Sequence, residues 1–259
     1  MPWLHRFTCR RCFGRSVASA LMAVPVVSTM GRLARAQPAS DAPLNTRSHL
    51  LDTAADALQT KRPLDAMSAY LNGFHFYADD MGRQVEAHHF CTHLSEDFHQ
   101  CVIYDGNAGN AKLIGVEYIV SERVFKSLPE DEKRLWHSHD YEVRSGELVA
   151  PGVPLIAEHA VMKDLASTYG KTWHTWQIDR DPALPLGIPQ LMMGFVQDGQ
   201  VNPAMLQARD SRLRTDTRRA KDNRSDIPEP EVDPAANSWR SGRTVQLALQ
   251  DVPMRNLRG

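Results

Sequence analysis

Val85-Glu-Ala-His-His-Phe-Cys-Thr-His-Leu-Ser-Glu-Asp-Phe-His-Gln-Cys-Val-Ile-Tyr104 is the stretch on which the fold turns. Read as strands Val85–Leu94 and Phe98–Tyr104 joined by Ser95, Glu96 and Asp97, it is a hairpin in which His93 faces His99 and Cys91 faces Cys101. Side chains alternate between the faces of a strand, so these four project to one side. Directly opposed Cβ atoms lie about 4.5–5.5 Å apart, which suits a disulfide between the cysteines. The same four side chains also suit a Cys2His2 transition-metal cluster. The competing reading is a helix, because Cys91, Leu94, Phe98 and Cys101 also follow helical spacing. A helix sets the cysteines roughly 15 Å apart and forbids a disulfide, while His89 and His93 remain a metal-capable pair one turn apart. The hairpin is the preferred reading. Metal, disulfide, and plain hydrogen-bonded histidines with reduced cysteines all stay open.

The 259 residues are 42% hydrophobic, enough for one sizeable core. Thirty basic residues stand against 31 acidic ones, which excludes a protein that binds nucleic acid by neutralising phosphates. Beyond the first forty residues no apolar run is long enough to span a bilayer. Four cysteines are too few for a disulfide scaffold of this size.

Residues 1–36 read as a twin-arginine-like signal peptide. They contain six arginines and none of the 31 acids, with Arg10 and Arg11 paired. Ser16 to Thr29 forms a mildly apolar run, and Ala34-Arg35-Ala36 a small-x-small cleavage site. The expectation is export, to a periplasmic or secreted location, leaving an acidic chain with only Cys91 and Cys101.

Residues 37–47 read as a linker. A helix follows, with Leu50, Leu51, Ala54, Ala55 and Leu58 on one face, and Pro63 starts another that includes Tyr70 and Leu71. Gly73 opens an extended region. From Ala111 to Val120 the pattern alternates, with Leu113, Glu117 and Ile119 on one face and Ile114, Val116, Tyr118 and Val120 on the other. His137 to Ser145 reads as extended. Glu158 to Tyr169 reads as a helix ended by Gly170, and Thr172 to Asp179 as a strand. Asn202-Pro203 caps a last helix. This is α+β, a single domain over residues 48–210 with a mostly antiparallel sheet packed by helices. Residues 211–259, poor in apolar anchors, read as a loosely ordered polar tail.

Nine of the eleven histidines lie between His75 and His174, and His88, His89, Cys91, His93, His99 and Cys101 fall within fourteen residues. Imidazole and thiolate are ligands that zinc-like ions prefer. A second cluster is Trp136-His-Ser-His-Asp-Tyr-Glu142. On a strand His137 and His139 share a face, as in the HxH of cupin metal sites, but Glu142 has the wrong parity and points away. The candidate metal ligands are therefore His89, Cys91, His93, Cys101, His137 and His139, holding one transition metal. Glu86 and Glu142 are the candidate acid/base groups. Glycine-rich phosphate loops, a G-x-S-x-G elbow, H-E-x-x-H and a dinucleotide fingerprint are all missing from the sequence, which argues against those chemistries.

Gly73-Phe-His-Phe-Tyr-Ala, the hairpin, Ala111-Lys-Leu-Ile-Gly-Val-Glu-Tyr-Ile, Leu135-Trp-His-Ser-His-Asp-Tyr-Glu-Val and Gly187-Ile-Pro-Gln-Leu-Met-Met together resemble the oil body-associated protein family, also catalogued as a domain of unknown function. The resemblance covers about residues 48 to 210. It implies association with lipid droplets and their stability, as in plant members, and carries no catalytic mechanism. The family's motif positions fall on His88, His89, Cys91, His93, Cys101, His137 and His139. The leader is a departure from the family.

Two functions follow as expectations. One is a non-catalytic lipid-surface or partner-binding protein, with a lipid surface or small molecule as partner; its apolar contacts would come from Trp173, Trp176, Met192 and Met193, although core is the preferred reading of those residues. The other is a metal-dependent enzyme of unknown substrate built on the His/Cys cluster.

Overall fold

The computed structural model describes residues 45–255, so the expected leader and most of the linker lie outside the described residues. Helix α1 (Thr46–Leu58) is capped by Asn45, whose side chain accepts from the Ser48 amide, and the short α2 (Arg62–Asp65) follows. Tyr70 and Leu71, read as helical, instead belong to strand β1 (Ala69–Tyr77). Next come β2 (Asp80–Ser95), β3 (Phe98–Tyr104) and β4 (Leu113–Ser121). The short α3 (Glu122–Lys126), α4 (Glu130–Lys133), β5 (His137–Ser138) and α5 (Asp140–Ser145) lead to α6 (Leu155–Leu165). Strands β6 (Thr168–His174) and β7 (Gln190–Met193) precede α7 (Pro203–Leu213) and α8 (Thr217–Asn223).

The sheet is antiparallel throughout and runs β4-β3-β2-β1-β7-β6. Pairing of β6 with β4 closes it into a six-stranded barrel, and β5 adds to β6. The α+β expectation therefore holds at the level of class, while the architecture is a closed barrel, which leaves few open edges. The hairpin reading also holds: Cys91 pairs with Cys101 and His93 with His99. Leu94 is accommodated by an irregularity between His93 and Ser95, so the turn tightens to Glu96-Asp97.

Alternation sorts the barrel wall. Residues 73, 75 and 77 of β1, 85 to 91 of β2 in steps of two, and 115, 117 and 119 of β4 face one side. Tyr77, Val85, Ala87, Ile103, Ile114 and Met192 form one apolar cluster there, with Trp176 and Ile178 packed on it. Cys91, Cys101 and Ile119 form another. The opposite face of β1 buries Phe74 and Phe76 against Leu191, Met193, Phe195 and Val201. Both faces of β1 are thus covered, which is why seven of its nine residues are buried.

Several expectations are corrected. Cys91 and Cys101 are joined as a disulfide, so neither offers the thiolate a metal requires. For Trp173, Trp176, Met192 and Met193 core packing, the preferred reading over a contact surface, holds: both methionines are 0% exposed and both tryptophans are half-buried against core clusters. The segment read as a loose tail carries α8 and buries Arg224, Ile227, Ala236 and Asn237. Its anchors are polar: the Arg224 guanidinium donates to the carbonyls of Val143 and Leu148 at 2.7 and 2.8 Å and lies 3.0 Å from Glu158. Asn237 accepts from the Ser138 amide and donates to its hydroxyl, which fixes β5.

Candidate functional site

Between the two apolar clusters the barrel carries a polar belt. β1 presents His75, β2 His89, β4 Glu117 and β6 His174, while His137 comes from β5 and His139 precedes α5. All six are buried, with His137 and His174 at 0% exposure. The imidazoles surround the Glu117 carboxylate. His89 Nε2 lies 2.8 Å from it, His139 Nε2 3.1 Å, His137 Nε2 3.4 Å and His75 Nε2 3.9 Å. His89 and His137 make this approach without the alignment of a hydrogen bond, and both ring nitrogens of each lack any hydrogen-bond partner. His75 Nδ1 meets His174 Nε2 at 3.3 Å and His139 Nδ1 meets Thr168 Oγ1 at 2.8 Å, which orients both rings.

Backbone glycine makes the room. A Cβ on Gly170 of β6 would stand 2.0 Å from Glu117 Oε1 and 2.7 Å from His139 Nε2. One on Gly194 would stand 2.8 Å from Glu142 Oε2. A cavity of about 10 Å³ adjoins the belt, lined in part by Gly73, His75, His89, Glu117, His139 and Glu142, and that is about the space of one water.

Electrostatics follow burial. Desolvation drives His75 and His137 below the ordinary imidazole value and His174 to about 3, so these rings are neutral. Burial pushes Glu117 upward, but the surrounding His89, His137 and His139 outweigh it and hold the carboxyl well below its usual range. An ionised, buried carboxylate therefore sits beside the neutral rings of His75 and His137. Burial, with Glu117 and Glu147 nearby, raises Glu142 well above the carboxylate range.

Of the residues expected from sequence, the fold brings together His89, His137 and His139. It also brings in Glu142, because residues 140–145 turn into a helix that ends at Gly146 with φ 80°, and strand parity no longer applies. Glu142 groups with His137 and His139, one ligand atom of each lying within 4.8 Å of the others. His93 stays outside: it is exposed at the barrel rim and stacks on His99 with ring centroids 4.1 Å apart. Glu86 faces away, tied to His88, Asn72 and Arg212. Those partners overcome burial and hold it at about 2, too acidic to serve as a base near neutrality. Sequence reasoning missed His75, Glu117 and His174. Glu117 was legible as the lone acid on an otherwise apolar strand face.

Glu147 lies just past α5, and burial lifts its pKa to about 7. A folded-state pKa above the unfolded value means that ionising the group costs stability as pH rises. The cost is small at pH 5 and on the order of 3 kcal/mol at pH 8. Glu147→Gln is expected to match wild type within about 1 kcal/mol at pH 5 and to exceed it at pH 8. Urea midpoints at the two pH values check this, and an unchanged difference between them contradicts it.

Comparison with known proteins now adds relatives. Residues 61–228 match the family model described as a protein of unknown function, DUF1264. Oil body-associated protein 1A of Zea mays is 46% identical over 82% of this chain and 90% of its own length. Oil body-associated protein 1B of Arabidopsis thaliana is 45% identical over 80% and 87%. Oil body-associated protein 2C of Arabidopsis thaliana is 37% identical over 82% and 91%. No solved structure matches the chain. These names overturn the expected periplasmic or secreted location, since the relatives are named for oil bodies and not for an exported compartment. On the length and identity of these matches, the chain belongs to the oil body-associated proteins, the DUF1264 family.

Proposed function

We propose that the protein docks peripherally on a lipid surface through α1, with the barrel as its rigid body. The observation that carries the reading is the uncovered leucine stripe of α1. Leu50, Leu51 and Leu58 are 67%, 58% and 84% exposed, and the helix buries none of its residues. Ala54 and Ala55 complete the stripe, with Asp52 and Asp56 on the other side of the helix. Leu64, 57% exposed, prolongs the apolar surface towards a groove lined by Met67, Phe90, Val102 and Tyr104. No helix among the described residues is long and apolar enough to cross a membrane, which agrees with surface attachment. The relatives' association with oil bodies supports lipid as the partner. Burying three leucines contributes several kcal/mol, about 1.5–3 each, enough for reversible attachment.

The test is flotation of the protein with phospholipid-coated triacylglycerol droplets. Wild type is expected in the floating layer, and the triple variant Leu50→Ser, Leu51→Ser, Leu58→Ser in the aqueous layer, reduced about tenfold or more. Because α1 contributes nothing to the core, the variant keeps its fold, which circular dichroism checks. Wild type that stays in the aqueous layer, or a triple variant that floats equally, defeats the reading.

A further inference from the structure

The polar belt is built unlike an ordinary hydrogen-bonded core. Buried imidazoles almost always find partners for their nitrogens. Here His89 and His137 leave all four ring nitrogens without one, although Glu117 stands 2.8 and 3.4 Å away. Their nitrogens approach the carboxylate without directing an N–H at it, as lone pairs do when they share a common point.

Spacing agrees with such a point. Nitrogen and oxygen ligands about 2.1 Å from one ion stand about 3.0–3.4 Å from each other. His89 and His75 Nε2 lie 2.8 and 3.9 Å from Glu117 Oε2, and His139 and His137 Nε2 lie 3.1 and 3.4 Å from its Oε1, so each carboxylate oxygen has ring nitrogens near that spacing. One ligand atom each from His75, Glu117 and His137 lies within 4.8 Å of the other two. The outer nitrogens of His75 and His139 are engaged by His174 and Thr168, leaving Nε2 of each turned to Glu117. Ligating histidines are commonly fixed in this manner, through the ring nitrogen that does not bind the ion. Gly170 removes the side chain that would otherwise fill the space beside Glu117 and His139.

We propose that His75, His89, His137, His139 and Glu117 bind one divalent first-row transition-metal ion inside the barrel, with Glu142 as an additional donor. The donor set selects the class: imidazole nitrogens suit zinc, iron, cobalt, nickel and copper, whereas calcium and magnesium require oxygen. The ligands come from β1, β2, β4, β5 and the start of α5, so the ion would tie the barrel wall to α5. Neither cysteine takes part, because both are in the disulfide.

The experiment uses the full chain without a histidine tag, purified without chelator, and measures metal by elemental mass spectrometry. The protein is then stripped and titrated with Zn²⁺, Mn²⁺ and Co²⁺. About one equivalent per chain is expected, with a rise in thermal midpoint on adding Zn²⁺ and visible Co²⁺ absorption distinct from the aqueous ion. His137→Gln and Glu117→Gln are expected to weaken binding by more than about tenfold. His93→Gln, at the exposed rim, and His159→Gln, paired with Asp226 on the surface, are expected to retain it. Should the centre variants fail to fold, the Co²⁺ spectrum and the thermal shift of wild type still decide. A folded wild type that takes up none of the three ions overturns the proposal. So does full binding by both centre variants.

Discussion

Gly170→Ala is expected to destabilise the protein by about 3 kcal/mol or more, an unusually large effect for one added methyl. The new Cβ would meet Glu117 Oε1 at 2.0 Å, His139 Nε2 at 2.7 Å and His137 Cε1 at 2.9 Å. None of these atoms can retreat easily. Glu117 is hemmed in by His75, His89, His137 and His139, and His139 is held by Thr168. Nor can the backbone swing away, because β6 is paired on both edges, to Ile119 of β4 and to His137 of β5 at Gly170 itself. Moving the carboxylate would leave a buried charge poorly accompanied, which adds to the steric cost. Gly109→Ala is the control, since a Cβ there meets nothing within 4 Å. Urea unfolding of the two variants against wild type measures the difference. A Gly170→Ala protein within about 1 kcal/mol of wild type would mean that the belt yields more readily than its packing indicates.

The same glycine shows where sequence reading stops. Gly170 follows a stretch with helical spacing, and a glycine there reads as the helix's C-terminal residue. In the fold α6 ends at Leu165, β6 begins at Thr168, and the glycine is demanded by side chains from three other segments. No local pattern encodes that demand. The hairpin, by contrast, was legible, because alternation and a short polar turn fix register locally, and Cys91 and Cys101 fell opposite each other as expected. Glu117 was placed on the correct face by the same alternation, yet nothing in the strand itself said which histidines it would meet. The pairing of β4 with β6 closes the barrel across about fifty residues of intervening chain and has no short-range signature. Strand parity misplaces Glu142, because Asp140 to Gly146 is in fact a one-turn-and-a-half helix. Alpha1 was legible as an amphipathic helix, but a sequence does not show whether an apolar stripe is covered. In the fold it is uncovered, whereas Met192 and Met193 are core, as preferred.

The polar anchors of the C-terminal segment were hidden for a related reason: arginine counts as surface until its partners are known. Arg209→Met is expected to cost about 3–5 kcal/mol, the range for removing one member of a buried charged network. Arg209 is 0% exposed. Its guanidinium donates to Asn72 Oδ1 at 3.1 Å, the Glu147 carbonyl at 2.8 Å, the Gly146 carbonyl at 3.3 Å and Thr217 Oγ1 at 2.9 Å. Its Nε donates to Asp210 Oδ1 at 2.8 Å, and the group lies 5.2 Å from the Phe74 ring centroid. Methionine fills a similar volume, so the loss is chiefly polar. Two buried carbonyls and the Asn72 oxygen would lose a donor, at about 1–3 kcal/mol for each group left unsatisfied, and Asp210 would lose its buried counter-charge. Arg209→Lys keeps the charge without the planar fork and is expected to recover only part of the loss, since one ammonium cannot serve five acceptors in that geometry. The consequence reaches the belt. Arg209 joins β1 at Asn72 to the turn at Gly146 and Glu147, and that turn ends the helix carrying Glu142. Hydrogen exchange of the Asp140–Ser145 amides in Arg209→Lys should therefore quicken more than that of β3, which Arg209 does not touch. Uniform exchange across both would place the arginine in global stability alone and remove its part in positioning the centre.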